Sequence, residues 1–380
     1  HPDFGTELFR SDGTTDGTYM VKEIRPGNTT ISAGNTQIFA MGNTLFLGFS
    51  DGILGTELWK TDGTTEGTVL VKDINPGNAS ASPAEFFKAN GILFFRANDG
   101  VNGNELWKTD GTEAGTVMVK DVSPGSGNGN PQQFVEFNNS LVFWGPGGLW
   151  KSDGSEAGTV KMVDITGNIA SLVNAGGTLF FAGGANTVLM KSNLTPEGTK
   201  SILNSSPGMG VNSAVPVTNS SLIYAVGNSV YLRSAAAIAG LLTNPGFELW
   251  KCVNTADTGI FVGDIYTGSG SSNPANFTFS NGNLFFTATT PDMGTELYKL
   301  FVGGGMPAVT TWTGSISTAW EDAGNWTNGL PGATTAVTIP AGMPRYPLVS
   351  ANTSIKSINV QQNASVTLAD NVKMILLGQL

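Results

Sequence analysis

The chain has 380 residues, of which 51 are glycine and only 13% are charged, about half the usual share of charged residues in globular proteins. Its formal net charge of −10 argues against the basic surface that nucleic acids and anionic lipids require. One histidine and one cysteine exclude zinc sites built on these residues, Ser-His-Asp or Cys-His catalysis, and internal disulfides.

The apolar segments are too short to cross a membrane. The longest run, Ala235 to Leu242, contains eight residues, whereas a membrane-spanning helix needs ~20. We therefore expect no membrane span, and the net charge leads us to expect no nucleic-acid partner.

An eight-residue motif recurs along most of the chain. Glu57–Thr64 returns letter for letter at Glu105–Thr112, and looser copies occur at Glu7–Thr14, Gly148–Ser155 and Glu248–Cys252. The aromatic position of the motif recurs at intervals of roughly 40 to 60 residues, a period typical of propellers, solenoids and repeat arrays. The period therefore predicts a repeat architecture.

Each period predicts four short strands. Around the second copy, Glu85–Lys88 is a first strand, and Asn90–Gly91 is a hairpin turn signal because both central residues of a type I′ turn need positive φ. Ile92–Phe95 is a continuous apolar second strand, Glu105–Lys108 a third, and Gly115–Val122 a β-branched fourth. Four antiparallel strands in roughly 40 to 50 residues are the unit of a β-propeller blade.

The predicted fold class is all-β, with a β-propeller followed by a small β-sandwich or β-solenoid. Five blades are complete in the sequence, at 36–74, 85–122, 133–165, 170–203 and 220–265. Two partial blades remain, at 5–24 and 276–301. If these share one blade the propeller has six blades, and otherwise it has seven. The expected domains are the propeller at 1–302, a Gly/Pro linker at 303–309 and a β-rich module at 310–380.

On these motif copies, the chain resembles the Glu-Leu-Trp-x-x-Asp-Gly-Thr repeat of large secreted proteins in Bacteroidota. The resemblance implies export, in the manner of a type IX secretion substrate, contact with the secretion machinery, and an extracellular or outer cell-surface location. It implies a role in adhesion or surface interaction and no known reaction. Blades 3 and 4 depart from the pattern, with Gly148 in place of the glutamate and Asn193–Thr195 in place of Asp-Gly-Thr. Their turns are expected to differ.

The motif stops after Gly303–Gly305. Trp312–Gly314, Trp320 and Gly324–Trp326 follow, and β-branched runs continue to Met374–Leu377. This segment resembles the Trp-Thr-Gly…Asn-Trp module of surface proteins in the same bacteria. Its short strands predict either a small sandwich or the first coils of a solenoid.

Two groups of tryptophans receive different predictions. Those of the repeat recur once per blade in the middle of a predicted strand, so we expect them to pack between blades; they are Trp59, Trp107, Trp150 and Trp250. Those outside the repeat are candidate ligand-binding residues whose rings could stack on a sugar, with core packing as the alternative; they are Trp312, Trp320 and Trp326.

The repeat aspartates Asp62, Asp110 and Asp153 lie in Asp-Gly turns that resemble the Asp-box of sialidases. That box is a hairpin device whose aspartate accepts hydrogen bonds from nearby backbone, and we predict the same structural role here. A sialidase would also need three converging arginines and a nucleophile, and the chain has five arginines in all.

The loop that precedes Glu105 is the candidate metal site. Asp99, Asn102 and Asn104 offer oxygen ligands suited to Ca²⁺, although their spacing is not that of a known calcium loop. The alternative is a turn with solvated polar groups. Calcium is the only cofactor that the sequence brings into consideration.

These observations favour an exported, non-enzymatic surface protein that mediates adhesion or binds glycans or protein partners. One alternative is a carbohydrate-active enzyme, or an accessory module of one, that works with paired carboxylates and needs no histidine. Another is a structural spacer in a large surface protein. Propellers serve in all three roles, so the fold does not decide among them.

Overall fold

The computed structural model describes residues 3, 6–27, 37–183, 188–204, 223–235, 246–302, 309–322, 325–327, 331, 335–350 and 353–376. Every regular element in these residues is a β-strand. The chain divides into two compact units, the first comprising 1–274 with 289–292 and the second comprising 275–288 with 293–380.

The first unit contains a two-stranded sheet followed by five larger antiparallel sheets, which we number blades 1 to 5. The N-terminal pair is β1 (Leu8–Arg10) and β2 (Tyr19–Lys22). Blade 1 consists of β3 (Ile38–Met41), β4 (Thr44–Phe49), β5 (Glu57–Thr61) and β6 (Val69–Lys72). Blade 2 consists of β7 (Ala84–Ala89), β8 (Ile92–Asn98), β9 (Asn104–Thr109) and β10 (Val117–Lys120).

The remaining blades of the first unit follow the same strand order. Blade 3 consists of β11 (Gln132–Phe137), β12 (Ser140–Gly145), β13 (Gly148–Ser152) and β14 (Val160–Asp164). Blade 4 consists of β15 (Ile169–Ala175), β16 (Thr178–Gly183), β17 (Val188–Ser192) and β18 (Lys200–Ser201). Blade 5 consists of β20 (Tyr224–Val226), β21 (Ser229–Ser234), β22 (Glu248–Val253) and β23 (Thr258–Gly263), with β19 (Leu203–Asn204) added in parallel to β23.

The local sequence explains these sheets. Asn90 and Gly91 take positive φ values of 46° and 78°, as the predicted hairpin turn requires. The second strand is buried on both faces, since Leu93, Phe94 and Phe95 are at most 1% exposed. The predicted four-stranded unit is therefore confirmed.

The third and fourth strands of a blade share a β-bulge. In blade 1, Leu58 pairs with Lys72 but Trp59 pairs with Leu70, which leaves Val71 as the extra residue. The same register shift recurs in the N-terminal pair and in blades 2, 3 and 5. A bulge bends its strand and increases the local twist, so each repeat carries the same bend at the same point.

The blades follow one another as in a propeller. Their first strands lie side by side in chain order, with β3 against β7, β7 against β11, β11 against β15 and β15 against β20. Apolar clusters fill the spaces between neighbouring sheets. The chain is thus an all-β protein built from β-propeller blades, as predicted. The choice between six and seven blades stays a prediction.

Each repeat tryptophan packs against the sheet that precedes its own. Trp107 of blade 2 lies in one cluster with Phe46 and Leu58 of blade 1, and Trp250 of blade 5 lies with Phe180 of blade 4. The structure places each repeat tryptophan in or against an apolar cluster that also contains residues of the preceding sheet, where the sequence predicts packing between blades; they are Trp59, Trp107, Trp150 and Trp250.

The repeat lysines reach in the opposite direction, to the sheet that follows. The Nζ atoms of Lys60 and Lys108 each donate a hydrogen bond of 2.8 Å, to the carbonyl oxygens of Gly111 and Gly154 in the next blade. Lysines near the end of the fourth strand also bond to backbone carbonyls of the next sheet: Lys22 to Thr68, Lys72 to Thr116 and Lys120 to Glu156. Blade 2 therefore receives lysines from blade 1 and contributes lysines to blade 3.

A three-stranded sheet follows, with β24 (Ala275–Ser280), β25 (Asn283–Thr290) and β26 (Gly294–Phe301). Apart from the last two residues of β25, it belongs to the second unit. Short strands follow: β27 (Val309–Thr311), β28 (Ala336–Ile339), β29 (Leu348–Val349), β30 (Thr353–Ile355), β31 (Ser357–Val360), β32 (Thr367–Leu368) and β33 (Met374–Leu376). They pair in parallel as β27-β28-β31, β29-β32 and β30-β33. Parallel pairing of β28, β29 and β30 with β31, β32 and β33 is the arrangement of two consecutive coils of a solenoid, so of the two predicted alternatives the structure shows the solenoid.

The division into units differs from the predicted domains. The sequence placed the boundary after residue 302, whereas residues 275–288 and 293–302 group with the C-terminal segment. Most of the predicted linker at 303–309 lies outside the described residues, and Val309 already belongs to β27.

Candidate functional site

The three tryptophans outside the repeat are core residues, which corrects the prediction that they bind a sugar. Trp312, Trp320 and Trp326 are 0%, 2% and 5% exposed and belong to one apolar cluster. Trp326 meets Trp312 and Trp320 edge to face, with ring centroids 5.0 and 4.7 Å apart. Because the three rings pack against one another and are buried, they offer no surface on which a sugar could stack. Core packing is the alternative that the structure shows.

Asn325 explains why the motif pairs asparagine with tryptophan. Its side chain is completely buried. Its Oδ1 accepts hydrogen bonds from the backbone N–H groups of Ile316 and Ser317 at 2.9 and 3.0 Å, and its Nδ2 donates to the hydroxyl of Ser317 and the carbonyl of Ala319. A buried amide with its hydrogen bonds made fixes the local backbone. The Trp-Thr-Gly…Asn-Trp motif therefore supports the fold of its segment.

The repeat aspartates fix the turn between the third and fourth strands. Oδ1 of Asp62 accepts a hydrogen bond from the backbone N–H of Thr64 at 2.9 Å and another from the Thr64 hydroxyl at 2.7 Å. These bonds hold the pKa of the carboxyl below its ordinary value. The same contacts and the same lowering of the pKa occur at Asp110 and Asp153. The three aspartates thus make the local turn contacts that the sequence predicts for them.

The corresponding turn of blade 4 has the same geometry, although a difference was expected. Oδ1 of Asn193 accepts bonds from the backbone N–H and the hydroxyl of Thr195, at 3.0 and 2.8 Å. Leu194 takes the positive φ of 68° that glycine takes in the other copies. An amide oxygen thus replaces the carboxylate without a change in the bonding pattern.

The candidate calcium loop has the contacts of a turn. Oδ1 of Asp99 accepts hydrogen bonds from the backbone N–H groups of Val101 and Asn102 at 2.9 and 2.7 Å, and Oδ2 accepts one from Asn102 Nδ2 at 2.7 Å. The backbone N–H of Asn104 donates to Asn128 instead. Asp99 and Asn102 are therefore brought together, and calcium binding by this loop stays a prediction.

A role that the sequence did not indicate belongs to the glutamate of the motif. Glu57, Glu105 and Glu248 are completely buried. In each blade, the carboxylate accepts backbone N–H bonds from residues 17 and 24 positions later, which lie on the connection to the next blade. For Glu105 the donors are Val122 and Gly129, both at 2.7 Å. We call this arrangement the glutamate brace.

Burial perturbs these carboxyl groups strongly. Desolvation raises the pKa of Glu105 to about 7, against the opposing effect of its N–H donors, and the nearby charge of Asp121 raises it further. The pKa values of Glu57 and Glu248 are raised for the same first reason. Carboxyl groups with perturbed pKa values are often functional. Here the shift of the pKa accompanies a structural role, because each carboxylate holds the connection to the next blade.

Blade 3 has no glutamate brace, because Gly148 takes the position of the glutamate. The carbonyl oxygen of Gly147 accepts the N–H bond of Ile165 at 2.9 Å, which a carboxylate accepts in blades 1, 2 and 5. A Cβ atom at Gly148 would lie 1.8 Å from the carbonyl oxygen of Val163, so only glycine allows this close approach.

Both connections at this end of blade 3 are short. The link between the second and third strands is residues 146–147, against 99–103 in blade 2. The link to the next blade is residues 165–168, against 121–131 in blade 2. In blade 2 two longer loops and the Glu105 side chain fill this region. In blade 3 both loops are shorter and the glutamate is replaced by Gly148.

A pocket of about 560 Å³ lies at this point, and we call it the blade 3 pocket. Its lining includes Trp144, Gly147, Asp164, Ile165, Thr166 and Asn168. Trp144 and Ile165 are buried apolar walls, whereas the other four residues are exposed. The volume lies within the range of ~300 to 1,000 Å³ that small-molecule sites occupy.

The remaining chemistry of the described residues is limited. In the searched part of the chain, no three His, Cys, Asp or Glu side chains are grouped as a metal would require. Cys252 is buried and unbonded, and burial raises the pKa of its thiol to about 12. The described residues form no helix that could span a bilayer.

No family model and no curated protein matches the chain. It is similar to a puromycin hydrolase, with 14% identity, a TM-score of 0.39, and coverage of 75% of this chain and 48% of that one. It is similar to the GH74 enzyme of Niastella koreensis, with 14% identity, a TM-score of 0.37, and coverage of 73% and 46%. It is also similar to the β-propeller domain of the Trilobed protease from Pyrococcus furiosus, with 9% identity, a TM-score of 0.36, and coverage of 71% and 82%.

The chain spans about half the length of the first two of these proteins. At such identities and TM-scores, none of their activities transfers to it. The assignment of the blades rests on the sheets of this chain.

Proposed function

We propose that the chain is an exported, non-enzymatic protein of the cell surface or extracellular space that binds a glycan or a protein partner. It reaches that location through a secretion machinery, as the repeat resemblance implies. The proposal takes its class of function from the sequence repeat and its place of binding from the blade 3 pocket.

The observation that supports a binding role is the contrast between the repeat and its departure. The recurring polar side chains bond to backbone: the aspartates in their turns, the glutamates at the connections and the lysines across to the next blade. In blade 3, one of the two blades that depart from the pattern, a pocket opens with exposed polar residues at its rim. Recognition on a rigid scaffold typically resides in such irregular loops.

A binding screen of the purified chain tests the proposal. Residues 1–380 would be applied to a glycan array and to immobilised surface-protein extracts, with saturable binding as the expected result. Absence of binding on both would contradict the proposal and favour a spacer. Release of reducing ends from a polysaccharide, lost on replacement of one acidic residue, would instead establish the enzymatic alternative.

A further inference from the structure

We infer that the blade 3 pocket binds one neutral hexopyranose residue of a glycan. The inference rests on the proposed function and makes it more specific, because it names both the site and the class of ligand. It is carried by three features of the pocket, which are its apolar walls, its polar rim and its balance of charge.

The walls suit the carbon face of a sugar ring. Trp144 and Ile165 line the pocket and belong to one buried cluster, so their positions are fixed by the packing behind them. Trp144 is 7% exposed, so only a small part of the indole faces the pocket. A pyranose presents apolar C–H groups on one face, and a fixed aromatic or aliphatic wall packs against them at little entropic cost.

The rim suits hydroxyl groups. Asp164, Thr166 and Asn168 are exposed residues that line the pocket. A carboxylate accepts hydrogen bonds, whereas a hydroxyl and a primary amide can both donate and accept. Sugar hydroxyls also donate and accept, so this set of groups matches several of them from one side.

The charge at the pocket favours a neutral ligand. Nζ of Lys161 lies 2.6 Å from Oδ1 of Asp164, so the one anionic group of the lining already has a cationic partner. A Cβ atom at Gly147 would lie 3.5 Å from the same Nζ atom, which places the ion pair at the pocket mouth. A charged ligand would be attracted by one member of this ion pair and repelled by the other, whereas a neutral polyol can form hydrogen bonds with both.

Blade 2, which has a brace, does not offer this combination. In blade 2 the corresponding region holds Glu105, which takes its N–H bonds from Val122 and Gly129. The backbone N–H of Asn104 is tied to Asn128 across the same two loops. In blade 2 the space is therefore occupied by the chain itself.

The test measures binding of defined small molecules to the full chain and three variants. The probes are the methyl hexopyranosides of glucose, galactose and mannose, with glucuronate, glucosamine and triglycine as charged and peptide probes, titrated by ligand-observed NMR. Thr166→Trp fills the pocket, Asp164→Asn removes the charged acceptor, and Glu156→Gln changes an exposed carboxylate of the same blade outside the lining. Thermal unfolding of each variant checks that it is folded.

We expect saturable binding of at least one methyl hexopyranoside and of none of the charged or peptide probes. Thr166→Trp should abolish binding, Asp164→Asn should weaken it by about tenfold or more, because a hydrogen bond to a charged group is lost, and Glu156→Gln should leave it unchanged. If Thr166→Trp does not fold, Asp164→Asn alone decides.

Three outcomes would overturn the inference. If the full chain binds glycans on the array but Thr166→Trp and Asp164→Asn bind as tightly, the pocket is not the site and the proposed function survives. If a charged or peptide probe binds in the pocket instead, the class of ligand is wrong. If neither the hexopyranosides nor the array are bound, both the inference and the glycan arm of the proposed function fail.

Discussion

Blades 2 and 3 are consecutive copies of one repeat, yet different groups accept the hydrogen bond from the connection to the next blade. In blade 2 a buried carboxylate, Glu105, holds the connection to the next blade through two N–H bonds. In blade 3 the carbonyl oxygen of Gly147 accepts the equivalent bond, and both adjoining loops are short. A buried N–H group needs an acceptor, but a side chain or the main chain can supply it.

The difference shows where the repeat can vary. A glutamate side chain can accept an N–H bond from a backbone segment that lies at some distance from its own strand. A main-chain carbonyl can accept that bond only when the two backbone segments approach closely, as Gly148 allows. Loop length and residue type therefore change together. Variants of the two blades can therefore separate the contribution of the side-chain acceptor from that of the main-chain acceptor.

Removal of the brace in blade 2 should destabilise the protein most. Glu105→Ala leaves the buried N–H groups of Val122 and Gly129 without an acceptor, and at about 1 to 3 kcal/mol for each group the loss should be roughly 3 kcal/mol. Urea unfolding followed by tryptophan fluorescence measures it. Glu113→Ala, an exposed change in the same blade, is the matched control. A loss of less than about 1 kcal/mol for Glu105→Ala would mean that the brace is dispensable.

The close approach in blade 3 should tolerate no side chain. Gly148→Ala places a Cβ atom 1.8 Å from the carbonyl oxygen of Val163, and overpacking of this kind costs about 2 kcal/mol. Gly263→Ala is the control, because no atom lies within 4 Å of a Cβ atom there. Differential scanning calorimetry should show a lower melting temperature for the first variant alone. Equal melting temperatures would show that blade 3 can relax around the methyl group.

Blade 2 should also make the stability depend on pH. The folded-state pKa of Glu105 is about 7, above its ordinary value of 4.5. A carboxyl group whose pKa is higher in the folded state contributes its full stabilisation at pH values below its pKa in the unfolded state. That contribution is lost as the pH rises through its pKa in the folded state. The free energy of unfolding should therefore fall between pH 4.5 and 7, and Glu57 and Glu248 act in the same direction.

The measurement is urea unfolding at several pH values in the wild type and in Glu105→Gln, which cannot titrate. We expect a shallower decline in the variant. The turn aspartates do not enter this window, since their pKa values lie below 3.8. Parallel curves for the two proteins would assign the pH dependence to other groups.

The smallest effect should come from the lysine contacts. Lys108→Met removes the 2.8 Å bond to the Gly154 carbonyl and should lower the free energy of unfolding by about 1 kcal/mol. Lys151 holds the corresponding position in blade 3 and, in the described part of the chain, makes no such bond to a carbonyl, so Lys151→Met should change the stability less. Equal losses would show that the lysine stems, and not the bonds, stabilise the contact.

The sequence predicts the blades well because their signals are local. Turn residues such as Asn90 and Gly91, and apolar runs such as Ile92–Phe95, act on neighbouring residues, and the period places them in order. The role of Glu105 is not local, since its donors lie 17 and 24 residues away. The recurrence of the glutamate is visible in the sequence, but no short-range pattern shows which N–H groups it accepts bonds from.

The candidate sites were harder to predict for a related reason. The residue type of Trp312 and Trp326 does not show whether they lie in a core or on a surface. Only the contacts in the folded protein show that each buries the other. The blade 3 pocket arises from missing residues in two loops that are distant in the chain. The shorter spacing between the second and third repeat tryptophans and the glycine at position 148 were visible signals, but their meeting point was not.

The direction of the contacts between blades has a consequence for how such chains can change in length. In blades 1 and 2 the tryptophan packs against the sheet before and the lysine bonds to the sheet after, so each of these blades has one face of each kind. Duplication of a repeat in the gene would insert a new blade whose two faces already match both neighbours. Repeat number can therefore vary in evolution without redesign of any interface, while a single copy, such as blade 3, is free to diverge toward a new role.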